Sequence, residues 1–256
     1  MGLVLSLGLL LLLGLGLRAI IIKTLADQRY NRAVEVMADG DYRTAIRDFD
    51  TFLTSHPKDP RAGKGRVLRA LANVRQYISI SGGTWSTALE AAQEMYGQVG
   101  AEPEFRDQRM ELAEQVIRIG EGLADRARHA ADAKALHEAE STVSLHAEIA
   151  GEPAPAFLKR SRLPGLLEDA RAAVRKADLR AQALSAMDLA ISNGSASGAY
   201  KARDALIERY ADLAQDRELI RRRTQANELI RRAVKVDPAR KRAAPTPRPE
   251  PRVARG

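Results

Sequence analysis

The chain has 256 residues, with 41 Lys and Arg against 33 Asp and Glu, a net charge of +8 and no cysteine. A disulfide framework, a thiolate metal site and a cysteine nucleophile are therefore excluded. Aromatics supply only 4% of the residues, so a core must be built from Ala and Leu, which suits closely packed helices better than a sheet.

From Leu3 to Ile22 there is one charge, Arg18. At about 1.5 Å per residue a helix of this length crosses the ~30 Å hydrocarbon layer, and Arg18, near its end, can snorkel to the interface. Residues 1–23 are expected to be a single-pass transmembrane anchor. A cleaved signal peptide is the competing reading. The start carries no basic residue, the run exceeds the roughly 7–15 residues of a signal core, and Thr24-Leu25-Ala26 is only a passable cleavage site, so the uncleaved anchor is favoured. Without cysteine a lipoprotein tether is ruled out. The myristoylation pattern of Met1-Gly2 with Ser6 reads as chance, since it leads straight into the apolar span. Lys23, Arg29 and Arg32 follow the span, and by the positive-inside rule they favour a cytoplasmic body.

Beyond the span the chain reads as helix nearly throughout, and two segments repeat one pattern. Tyr42 is followed by Ala45, Ile46, Phe49 and Phe52; Trp85 is followed by Ala88, Leu89, Ala92 and Met95. These offsets fall on one helical face, where the small Ala lets a neighbouring helix approach and the bulky residues fill the groove beside it. Gly40, Tyr42, Ala45, Phe49, Phe52 and Pro57 stand in the order and spacing of the second helix of a tetratricopeptide repeat, and this part of the chain resembles that family. The resemblance implies an all-α solenoid of helical hairpins whose curved surface binds peptides or proteins. It also brings an analogy to membrane-tethered bacterial repeat proteins that work on the outer side, against the charge rule.

The expected best copies are residues 24–57 and 59–97 within a repeat region 24–150. The first helix, about Thr24 to Ala38, departs from the family by placing Arg29 and Arg32 at bulky apolar positions, with only Ala33 and Val36 matching. The two copies lie 43 residues apart, against about 34 in the standard repeat, so the helix after Pro60 must be long. Fainter copies begin at Ala135-Leu136, with Ala139, Thr142 and Val143, and at Gly198 and Tyr200, with Ile207 and Tyr210 but with Arg203 in the alanine position. Residues 151–238 are expected to add further hairpins. Breaks are expected at Ser81–Gly83, Gly100–Pro103, Gly151–Pro155, Pro164-Gly165 and Ser192–Gly198.

The tail, residues 239–256, is rich in Pro and Arg and is expected to be disordered. Just before it, Arg221, Arg232 and Lys235 share a face with Gln225 and Glu228, and Arg222 and Arg231 lie nearby. A basic helix end and tail could bind anionic lipid or nucleic acid through phosphates, although an ordinary solvated surface is favoured and no aromatic platform serves for stacking bases. Nucleic acid is not the expected partner.

Catalytic chemistry is hard to find. His56 lies in the turn before Pro57, and His129, His137 and His146, expected on one helix at spacings of eight and nine, do not align on one face; His137-Glu138 lacks the second His of a zinc-protease motif, with Ser141 in its place. Gly63-Lys64-Gly65-Arg66 lacks the spacing of a phosphate loop and reads as a helix start, and Asn193-Gly194-Ser195, a glycosylation pattern, reads as a turn. No enzyme, metal site or cofactor is expected. The expected function is a membrane-tethered scaffold for protein or peptide partners. Arg66, Arg69, Asn73 and Gln76, opposite the apolar stripe Val67, Leu71, Val74 and Ile78, are the candidate interaction surface.

Overall fold

The computed structural model describes residues 23–80, 84–151, 158 and 160–241, with side chains described as far as residue 234. The apolar run 3–22 and residues 242–256 of the tail lie outside the described residues. Among those described there is no strand: the fold is all-α. Helix α1 covers residues 23–38 and is followed by α2 (Tyr42–Ser55), α3 (Ala62–Ser79) and α4 (Trp85–Val99). A 3-10 turn (Pro103–Gln108) leads into α5 (Arg109–Ala130) and α6 (Ala133–Ala150). Then come α7 (Leu163–Ser192), α8 (Ala196–Arg209), a second 3-10 turn (Ala211–Gln215) and α9 (Arg217–Lys241). Two compact units divide the chain at Val174 and Arg175, inside α7. Among the described residues no helix is long and apolar enough to cross a membrane.

Local chemistry sets the ends of these helices. Gly40 takes φ +84° between α1 and α2, and the next residue, Asp41, caps α2 by accepting from the Thr44 amide at 3.1 Å. Asp132 caps α6 by accepting from the amides of Lys134 and Ala135, and Ser195 caps α8 by accepting from that of Gly198. The break expected at Pro164 and Gly165 falls just before them, at the bend of Ser161 and Arg162. Pro164 and Gly165 occupy the first turn of α7, where a missing amide hydrogen costs nothing. The tail is helical three residues further than expected, since α9 ends at Lys241.

The first unit packs around small residues. Ala45, Phe49 and Phe52 of α2 and Ala88, Ala92 and Met95 of α4 are buried, with Leu89, while Tyr42, Ile46 and Trp85 are half-buried against the same core and Pro57 is exposed in the turn after α2. In α1 the buried stripe is Ala26, Tyr30, Ala33 and Met37. Tyr30 supplies the bulk that Arg29 and Arg32 do not, meeting Phe52 edge-on at 5.4 Å and 62° and Phe49 at 6.2 Å and 71°. The two arginines instead reach α2: Arg29 donates to Ser55 Oγ at 2.7 Å, and Arg32 stands 3.3 Å from Asp48. Helix α3, 18 residues long, accounts for part of the wide spacing between the first two copies.

Residue registers give helix directions. Consecutive helices pair early residues with late ones, as in α5 and α6, where Arg109 donates to the Ile149 carbonyl and Arg126 pairs with Asp132 at 3.1 Å. Next-but-one helices keep a constant offset and so run the same way. In the first unit Arg66 with Glu102 and Arg75 with Glu111 are both 36 residues apart, and Ser86 with Glu138 and Tyr96 with Glu148 are both 52 apart. In the second unit Lys176 with Asp212 and Arg180 with Asp216 are 36 apart, and Asp188 with Arg222 is 34.

The second unit has its own core of Met187, Ala199, Leu206, Leu219 and Ala226. Here the frame expected from Gly198 and Tyr200 is not the buried one. Ala199 and Leu206 are buried, whereas Tyr200, Arg203, Ile207 and Tyr210 are half-buried, so the small residue of this helix is Ala199 and not the position of Arg203.

Candidate interaction surface

Helix α3 positions the sequence-derived stripe. Its inner side, Val67, Leu71 and Val74, is buried, so Arg66, Arg69, Asn73 and Gln76 lie on the opposite side; Tyr77, beside them, packs half-buried against the core, and Ile80, just past the helix, is 44% exposed. Both arginines are engaged by neighbouring elements. Arg66 donates to the two Glu102 oxygens at 2.7 and 3.0 Å, and Arg69 donates to Asp50 of α2 at 3.0 Å. The hydrogen bonds from Arg66 to Glu102 raise the guanidinium pKa. These charges tie α3 to its neighbours; Asn73 and Gln76, both half-buried, follow them along the same side of the helix. An amide side chain donates and accepts, so two of them one turn apart match the alternating groups of a peptide main chain.

A second polar node lies at the start of α3. Arg61 donates to both oxygens of Asp59 at 2.9 Å, pairs with Asp27 of α1 at 2.7 Å, and lays its guanidinium 5.0 Å from the Tyr30 ring centre and 5.8 Å from that of Phe52. The hydrogen bond from Arg61 lowers Asp59 to about 2 and raises Arg61 in turn. A shallow groove of about 490 Å³ adjoins this node, lined by Lys23, Ala26, His56 and Lys58 among others. Sequence reasoning missed Tyr30 and Arg61. The signal for Tyr30 was present as the offsets of Ala26, Tyr30, Ala33 and Met37; nothing local signals that Arg61 gathers two aspartates, one of them 34 residues away.

The histidines do not converge. His56 is half-buried beside Phe52, His129 and His137 are exposed, and His146 is buried in α6, where burial pushes its pKa down. Among the described residues no group of three His, Asp or Glu is placed to hold a metal ion. Gly63 and Gly65 lie within the first turn of α3, and Asn193-Gly194-Ser195 forms the turn before α8, with Gly194 at φ +71°. No family model matches the chain, and no curated protein is detectably related to it in sequence.

Proposed function

We infer that this protein is a membrane-tethered interaction scaffold, a stack of tetratricopeptide-like hairpins that binds a peptide or protein partner on the face of its first helices. The observation that carries the reading is the recurrence of the registers. Asp27 with Arg61 spans 34 residues, Arg66 with Glu102 and Arg75 with Glu111 span 36, and the second unit repeats offsets of 34 and 36, while α5 with α7 is wider at 41 and α4 with α6 at 52. A spacing near the ~34 residues of the standard repeat is what successive first helices side by side require. The tether rests on residues 3–22, whose length and apolarity suit a single span.

The face of α3 is the binding wall in this reading, with Asn73 and Gln76 addressing the partner's main chain and the Arg66–Glu102 and Arg69–Asp50 pairs bounding it. A photo-crosslinking residue at Gln76 in the full membrane-bound chain tests it. A discrete adduct that weakens on Asn73→Ala and is absent with the crosslinker at exposed Gln93 of α4 supports the wall. Equal labelling from both positions, or indifference to Asn73→Ala, would sink it.

A further inference from the structure

The C-terminal half of α9 carries a feature that peptide binding does not use. Leu219 and Ala226 are buried in the second unit's core, and Tyr200 of α8 donates to Asn227. Further along, apolar side chains continue without cover: Ile230 is 44% and Val234 66% exposed, and neither belongs to the core cluster. Arg223, Asn227, Ile230, Arg231 and Val234 follow one another at helical spacing on one side of α9. Arg222 is consumed by Asp188 and Glu218, whereas Arg221, Arg223 and Arg231 have no carboxylate partner among the described residues.

We propose that this face of α9 docks on an anionic lipid surface, Ile230 and Val234 entering the boundary between headgroups and acyl chains while Arg223 and Arg231 meet the phosphates. Exposed aliphatic residues beside a half-buried Arg223 and an exposed Arg231, neither with a carboxylate partner among the described residues, are the pattern of an interfacial helix. Nucleic acid suits the arginines but leaves Ile230 and Val234 idle, and residues 217–241 contain no aromatic side chain to stack on a base. A second copy in a two-fold contact would bring like arginines together. This inference is independent of the peptide-binding reading and of the N-terminal span.

The absence of cysteine allows a clean test in the full chain. Val234→Cys carries an environment-sensitive dye, with Ser79→Cys at the end of α3 as reference, in vesicles of phosphatidylcholine alone or mixed with phosphatidylglycerol. The expected result is a blue shift and several-fold protection from acrylamide at position 234, only with phosphatidylglycerol. Both are reversed by high salt. Arg223→Gln with Arg231→Gln should weaken this docking roughly 10- to 30-fold, from about 1 kcal/mol per charge, with the helical circular dichroism unchanged. Equal exposure of the dye in both lipids overturns the proposal, as does protection by an oligonucleotide in place of vesicles or protection that depends on protein concentration without lipid. Flotation with phosphatidylcholine alone reports the N-terminal span separately.

Discussion

Asp59 accepts from Arg61 at both oxygens while Arg61 also reaches Asp27, so this carboxylate is held at about 2, below its ordinary 3.8. A lowered carboxylate pKa stabilises the folded chain above the unfolded value and loses that contribution as pH falls through the folded one. Stability should therefore decline between about pH 4 and pH 2, and Asp59→Asn should be less stable near neutrality with a flatter acid limb. Thermal melts across that range check it; parallel limbs for the two proteins would contradict it. At Gly122 of α5 an added Cβ would meet the Trp85 indole of α4. Gly122→Val should cost about 1–3 kcal/mol through overpacking, read from denaturant midpoints, and Trp85→Leu should relieve part of the penalty. The Trp85–Gly122 contact was legible only in outline. Composition and spacing put Trp85 on a packed face, yet its seat is a glycine 37 residues later, and such a pairing depends on tertiary register that no local pattern records.

For whole helices, the buried alanines of α2 and α4 set how closely their neighbours come. Ala45 of α2 and Ala88 of α4 have no exposed surface, so Ala45→Trp or Ala88→Trp should destabilise by about 1–3 kcal/mol or more, and unchanged melting curves for both would tell against the crossing. The Arg66–Glu102 pair joins α3 to the turn before α5 in bidentate geometry, but Arg66 is 49% exposed at its side chain. A double-mutant cycle should return only about 0.2–1 kcal/mol, smaller in high salt, which makes the pair a register marker more than a source of stability. Helix ends were readable at Gly40 and at Asn193-Gly194-Ser195, where the turn chemistry is local, but the turn at Ala131 and Asp132 was not: the stretch from His129 to His146 reads as one helix, whereas the left-handed Ala131 ends α5 and the Asp132 cap starts α6. Facial assignment failed where two frames compete. In α8 Tyr200 is larger than Ala199 and Ile207 matches Leu206 in size, and only packing against Met187 and Leu219 selects Ala199 and Leu206. The face of α3 was legible as a polar stripe, whereas the engagement of Arg66 and Arg69 with other helices was not.

At the level of the whole molecule, the proposed tether of residues 3–22 would be held in a membrane by burial and not by charge. The full chain should resist extraction by high salt and carbonate and keep residues 1–22. A soluble mature chain beginning near Asp27 would refute the tether, and protease added to intact spheroplasts decides which side the helices occupy. The binding wall exists only if first helices of successive hairpins stand side by side at about one repeat's spacing. Spin labels at Arg66→Cys with Glu102→Cys, and in a second sample at Arg180→Cys with Asp216→Cys, measure that spacing in each unit of this cysteine-free chain by electron–electron dipolar coupling. A single narrow distribution at the short end of the measurable range for both pairs is the predicted result; broad or long distances in either would contradict a stack of hairpin repeats.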